Sequence, residues 1–117
     1  MAMLVPNASF GPAIQAALNC LQACESCAKR CLEAPEVSEL TQVVSLSWEC
    51  AAACDGAAKA LLRESQYALE WVTLCASVCQ ACALECDRHA LAQVCCAQCA
   101  AACRVCIEAC SKVTLLS

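Results

Sequence analysis

Sixteen of the 117 residues are cysteines, and nearly all of them follow one another at alternating steps of three and four residues. In an α-helix such steps return side chains to one face, the a and d stripe that faces the axis of a bundle. The cysteines therefore occupy the places that leucine and isoleucine fill in an ordinary bundle core. Segment by segment, the stripe consists of Cys20, Cys24, Cys27 and Cys31; Cys50 and Cys54; Cys75, Cys79, Cys82 and Cys86; and Cys96, Cys99, Cys103, Cys106 and Cys110.

This spacing favours metal binding over disulfide formation. Neighbouring Cβ atoms on one helix face lie roughly 5–6 Å apart, whereas a disulfide requires about 3.5–4.5 Å. A metal ion bridges the gap because two metal–sulfur bonds of roughly 2.3 Å span it. Soft thiolates select Cu(I), Zn(II) or iron–sulfur clusters. Cu(I) suits a dense stripe, and two thiolates per ion with shared sulfurs give a capacity on the order of ten ions.

Other functions of the cysteines fit the pattern less well or remain open. Iron–sulfur ferredoxins carry a cysteine followed by proline on a loop, and no cysteine here precedes a proline. An enzyme with a catalytic cysteine needs a base and an orienting partner, and a single histidine beside sixteen similar cysteines singles out no nucleophile, so we expect no enzymatic activity. A structural or interaction module stabilised by roughly four zinc ions and a thiol redox buffer both stay open.

The composition and the positions of helix-breaking residues predict the helices that carry the stripe. Ala, Leu, Glu, Gln and Lys dominate the other residues, glycine and proline total five, and these features favour an all-α protein. Short connections make neighbouring helices antiparallel. The sequence therefore predicts an up-down-up-down four-helix bundle with a cysteine-lined core, forming one domain over residues 1–117 with residues 1–8 irregular. The predicted helices run from Ser9 or Pro12 to Glu33, from Pro35 to Glu64, from Ser65 (as N-cap) to His89, and from Leu91 to Val113.

The predicted winding makes the two ends of the bundle different. One end is an apolar plug, formed by seam residues Ala13, Ala17, Ala57, Leu61, Ala68, Val72 and Val113. The opposite end is a mouth through which ions are expected to enter. His89 continues the seam three residues after Cys86, and Cys95 lies one step off the seam beside Cys96. Both are secondary candidate ligands at this mouth.

Charge and terminal composition limit the partners and the compartment. The net charge is −4 with mixed signs, so a nucleic-acid partner is not expected. Residues 1–24 are uncharged, but Pro6, Pro12, Asn7, Gln15 and Asn19 make them a poor membrane span, and no membrane partner is expected. The N-terminus also lacks the charged region of a secretory signal. These features predict a cytoplasmic protein, where thiols stay reduced.

The stripe resembles the cytosolic branch of the bacterial copper storage proteins. The resemblance covers nearly the whole chain from Leu18 onward, in the segments Cys20-LQA-Cys24-ES-Cys27-AKR-Cys31, Trp48-Glu49-Cys50-AAA-Cys54, Cys75-ASV-Cys79-QA-Cys82-ALE-Cys86-DR-His89 and Cys96-AQ-Cys99-AAA-Cys103-RV-Cys106-IEA-Cys110. It implies storage of many Cu(I) ions along the core and assembly into a homotetramer. Ala13, Ala17 and Val43 stand where family members often carry further cysteines, which implies a lower capacity.

Overall fold

The computed structural model describes residues 4–116, with side chains described from residue 9. Its elements are α1 (Leu4–Glu33), a short 3₁₀ turn (Val37–Glu39), α2 (Thr41–Leu62), α3 (Ala68–Asp87) and α4 (Val94–Leu116). Each helix packs against two neighbours, in the order α1, α2, α3, α4 and back to α1. The described residues contain no strand, so the predicted all-α four-helix bundle is confirmed.

The first helix begins earlier than predicted. It starts at Leu4 and continues through Pro12, which lies inside it. The prediction that residues 1–8 are irregular is therefore wrong for residues 4–8, and residues 1–3 lie outside the described part of the chain. A proline inside a helix removes one backbone hydrogen bond and crowds the preceding turn. Here helical backbone runs on both sides of Pro12, so the proline does not end the helix.

The connection between α1 and α2 is longer than predicted. The sequence places the start of the second helix at Pro35, whereas α2 begins at Thr41 after the 3₁₀ turn. The Leu40 amide donates to the Val37 carbonyl at 3.0 Å. The Leu40 side chain is buried in the core, which anchors this turn at the end of the bundle.

The turn between α2 and α3 has no glycine because a glutamate adopts the conformation that glycine normally supplies. Helix α2 ends at Leu62, and Glu64 has a φ of 53° in the left-handed region. The Ser65 amide then donates to the Ala60 carbonyl at 2.9 Å, the closing bond of a Schellman motif. Ser65 is not the predicted N-cap of α3, since its hydroxyl accepts the Tyr67 amide and α3 begins at Ala68.

Replacing Glu64 by glycine is expected to stabilise the protein by about 1 kcal/mol, because an L-residue in the left-handed region is strained by its Cβ. Chemical denaturation of the metal-free protein measures the change. Glu64→Ala is the matched control, since alanine removes the same charge but keeps the Cβ. Equal stabilisation by both substitutions would attribute the effect to the charge and contradict the backbone explanation.

Helices α3 and α4 also end and begin away from their predicted positions. Helix α3 ends at Asp87 and α4 begins at Val94, so His89 lies in the connecting turn rather than on a helix. The Gln93 amide donates to the His89 carbonyl at 2.9 Å and holds this turn. The Gln93 side chain donates to the Glu36 carboxylate at 3.0 Å, which joins the two connections at the predicted mouth.

Helices α2 and α3 approach closely at Gly56. A Cβ added at this residue would lie 2.2 Å from the Trp71 ring. The indole therefore lies directly on the backbone of α2, where any other residue would displace it. Trp71 is 40% exposed, so it lies at the edge of the core.

Helices α3 and α4 are long and apolar enough to cross a membrane by length and composition alone. Much of their apolar character is cysteine and alanine that face the interior of the bundle. A core helix of a soluble bundle has the same composition. The expectation that the protein has no membrane partner stays a prediction.

Candidate metal centre

All sixteen cysteines are buried as free thiols along the axis of the bundle. The closest sulfur–sulfur distances between neighbours are 3.5–4.0 Å, far longer than the roughly 2.05 Å of a disulfide bond. Most of the sulfurs therefore touch another sulfur without being bonded to it. The stripes predicted on the four helices together form a column of thiols along the bundle.

The centre of the column is a layer with one cysteine from each helix: Cys20, Cys50, Cys79 and Cys103. The Cys20 sulfur lies 3.9 Å from Cys50, 3.9 Å from Cys79 and 3.7 Å from Cys103. The Cys50 sulfur lies 3.5 Å from Cys79. Each of the four helices thus places one sulfur in this layer, as the shared a and d register predicts.

Towards the plug the column continues through Cys54, Cys75 and Cys106. The Cys75 sulfur lies 3.7 Å from Cys54 and 3.8 Å from Cys106. Beyond them the core contains no thiol other than Cys110 and becomes apolar. The predicted plug residues Ala13, Ala17, Ala57, Leu61, Val72 and Val113 are buried and Ala68 is partly buried, which confirms the composition of this end.

On the other side of the central layer lies a set of three thiols and one hydroxyl. The Cys99 sulfur lies 3.6 Å from Cys24 and 4.0 Å from Cys82. Helix α2 contributes Ser47, whose Oγ lies 3.9 Å from the Cys82 sulfur. Ser47 was not predicted from the sequence, although it stands three residues before Cys50 and four after Val43, which places it on the same seam.

At the mouth, helices α1 and α4 bring together Cys27, Cys31, Cys95 and Cys96. The Cys95 sulfur lies 3.5 Å from Cys27 and 3.8 Å from Cys31, and the Cys27 sulfur lies 3.9 Å from Cys96. Cys95 is off the seam by sequence, yet its sulfur belongs to this group. It is the most exposed of the cysteines, at 9%.

Cys86 and His89 complete the mouth on the side of α3. The Cys86 side chain is fully buried. The His89 Nε2 lies 3.3 Å from a carboxylate oxygen of Glu85, and the ring is partly exposed. The structure therefore places His89 at the mouth with a carboxylate partner, and its role as a ligand stays a prediction.

Burial keeps the thiols at the mouth protonated. Desolvation raises the pKa of Cys31 to about 12 and also raises the pKa values of Cys95 and Cys96. These thiols are neutral near pH 7, which is how a dense column of sulfur can be buried without many like charges. A metal ion that binds there must displace protons, because thiolates are the ligating form.

The sulfur positions fit soft metal ions with little rearrangement. With metal–sulfur bonds of about 2.3 Å, three sulfurs around one ion stand about 4.0 Å apart and four stand about 3.8 Å apart. Sets of four sulfurs that all lie within 4.8 Å of one another occur along the column, and several share members. Cys20 and Cys50, for example, belong both to a set with Cys54 and Cys79 and to a set with Cys24 and Cys103. Shared sulfurs suit ions bridged by thiolates better than separate tetrahedral sites.

Comparison with known proteins gives consistent results. Residues 7–115 match the family described as copper storage protein. A curated relative, the uncharacterized cysteine-rich protein YhjQ of Bacillus subtilis, is 38% identical over 100 residues, which cover 86% of this chain and 91% of that protein.

Two solved structures share the whole architecture. A cytosolic copper storage protein from Streptomyces lividans, described with five coppers, superposes with a TM-score of 0.87 at 38% identity, covering 92% of this chain and 93% of the other. The Streptomyces lividans protein Ccsp, loaded with 10 copper equivalents, gives a TM-score of 0.85 at 38% identity, covering 89% of this chain and 82% of the other.

Proposed function

Since the chain belongs to the copper storage protein family, we propose that it binds and stores multiple Cu(I) ions through the thiolates that line its four-helix bundle. The observation that carries this proposal is the column of sixteen buried free thiols, in which sets of four sulfurs lie within 4.8 Å of one another. Cu(I) binds two or three soft ligands, and one thiolate can bridge two ions. A column of closely spaced thiols therefore suits it.

The proposed ligands are the cysteines of all four helices. Cys95 joins them because its sulfur lies within 4 Å of two others. His89 is proposed to act at the mouth, where its imidazole can receive an ion before the thiols do. The full set of thiols is Cys20, Cys24, Cys27, Cys31, Cys50, Cys54, Cys75, Cys79, Cys82, Cys86, Cys95, Cys96, Cys99, Cys103, Cys106 and Cys110.

The geometry supports storage rather than catalysis. Almost every thiol is sealed from solvent, which leaves no room for a substrate beside the sulfurs. Ions are proposed to enter at the mouth, where Cys95 is the most exposed thiol, and to pass from thiol to thiol towards the apolar plug. Each ion releases protons as it binds, so the charge of the ion replaces the charge of the protons.

The same family membership supports proposals for the compartment and the assembly. The Streptomyces lividans relative is described as cytosolic, and a reducing cytosol keeps such thiols free. Assembly into a homotetramer is proposed from the family resemblance. The side chains of Trp48 and Leu32 are exposed, and they supply apolar surface that such an assembly can cover.

The function is tested by anaerobic titration of the reduced protein with Cu(I) against a competing chelator, with helicity followed by circular dichroism. We expect roughly ten ions per chain and unchanged helicity, because the helices and the plug do not depend on metal. Parallel titration in weak buffer should release one proton per recruited thiol, since burial holds the pKa of thiols such as Cys31 well above neutrality.

Two other outcomes would replace this proposal. Saturation below about four ions, with roughly four zinc ions retained on purification, would indicate a zinc-stabilised module. Negligible Cu(I) affinity with reversible oxidation of the thiols would indicate a redox buffer. Loss of helicity during loading would also contradict storage in a preformed bundle.

A further inference from the structure

Ser47 interrupts the cysteine column at one defined level. Its neighbours in the layer are Cys24, Cys82 and Cys99, one from each of the other helices. The three sulfurs belong to a set whose members all lie within 4.8 Å of one another. The layer is therefore a counterpart of the central four-cysteine layer in which α2 supplies a hydroxyl in place of a thiol.

The Ser47 hydroxyl is poorly satisfied in the metal-free protein. Its side chain is 0% exposed. Among the residues that the structure describes, its hydrogen-bonding partner is the Cys82 sulfur alone, at 3.9 Å. A neutral thiol is a weak acceptor, and a buried hydroxyl without a good partner is costly.

Copper binding changes the charge of the Cys82 sulfur that accepts the hydrogen bond from Ser47. When an ion binds in this layer Cys82 becomes a thiolate, and hydrogen bonds to charged acceptors are stronger than those to neutral ones. The oxygen itself is a hard donor that Cu(I) does not favour. On the basis of the proposed function, we propose that Cys24, Cys82 and Cys99 hold one Cu(I) ion while the Ser47 hydroxyl donates a hydrogen bond to the Cys82 thiolate. Ser47 is thus a positioning residue that favours the loaded form.

The substitution Ser47→Ala tests the hydrogen bond, with Ser45→Ala as the matched control because Ser45 is exposed on the same helix. In competition with a Cu(I) chelator, about one ion per chain of S47A should be held about tenfold more weakly than in the wild type. The metal-free S47A protein should be no less stable than the wild type, since alanine removes a poorly satisfied hydroxyl. A role in packing alone would instead lower its stability and leave the copper competition unchanged.

The substitution Ser47→Cys tests whether residue 47 faces the ion. A sulfur at this position completes the layer, so S47C should hold that ion more tightly than the wild type. Ser45→Cys adds an exposed thiol away from the column and should give the same competition curve as the wild type. If S47A does not fold, S47C giving the same competition curve as S45C would overturn the proposal.

The two proposals fail in different ways. If the wild type takes up copper and S47A gives a superimposable competition curve, the role of Ser47 is overturned and storage stands. If the wild type itself takes up no copper, both are overturned.

Discussion

In the copper-free reduced protein, a small thiol-alkylating reagent is expected to modify Cys95 first and to leave the other cysteines unmodified. Cys95 is 9% exposed, whereas Cys110 is 2% exposed and the rest are sealed completely. A sealed thiol reacts only when the bundle opens, and a stability of about 5–15 kcal/mol makes the open form rarer than one in a thousand. Native labelling should therefore be selective by about a thousandfold or more.

The measurement is mass spectrometry of the intact protein over time, followed by peptide mapping. Burial raises the pKa of Cys95, and the thiolate is the reactive form. Its labelling should therefore be slower than that of an unfolded thiol and should accelerate as the pH rises. Loading with Cu(I) should suppress the reaction, because the proposed site at the mouth uses the Cys95 sulfur as a ligand.

Cys95→Ala is the control, and it should abolish the fast modification without changing the slow labelling of the remaining thiols. Labelling of many thiols at one rate would show that the bundle opens readily and would contradict a sealed column. Labelling of Cys95 that copper does not slow would remove this residue from the set of ligands.

The stripe on each helix was predictable because helical periodicity is local. Steps of three and four residues fix one face of a helix, so the spacing of the cysteines is enough to place the sulfurs of the central layer at the axis. The burial of the apolar plug followed from the same register. These predictions needed only the direction of each side chain and the antiparallel order of the helices.

The role of Cys95 was less predictable because it depends on another helix. Its position on α4 is one step off the seam, and its contact with Cys27 and Cys31 arises where the first turn of α4 meets the last turns of α1. Ser47 was missed for a different reason. A pattern built on one residue type does not count a serine, although its seam position is as regular as that of Cys50.

The connections were the least predictable elements. A left-handed residue at the end of α2 normally suggests glycine, and here Glu64 adopts that conformation. The start of α2 is set by the burial of Leu40 after a 3₁₀ turn. The position of Pro35 in the sequence does not predict this tertiary contact. In both places the closing contact overrides the local preference of the sequence.

Replacing Leu61 by alanine is expected to destabilise the metal-free protein by about 2–5 kcal/mol, the usual cost of truncating a fully buried leucine. Leu61 is 1% exposed and is one of the largest side chains in the core. The neighbouring Leu62 is 60% exposed, so Leu62→Ala is the matched control and should change stability by less than about 0.5 kcal/mol. Denaturant unfolding of the reduced protein measures both.

The same variant separates the plug from the column. No thiol is removed, so Leu61→Ala should bind as many Cu(I) ions as the wild type, provided that it is assayed below its unfolding transition. Copper stabilises a folded store by mass action, although thiols of the unfolded chain also bind it and reduce the gain. A variant that is less stable but binds the full number of ions would show that the apolar end stabilises the bundle, whereas the thiols serve to bind metal. A variant that loses ions in proportion to its loss of stability would show that the thiol column depends on the plug, and would contradict separate roles for the two ends.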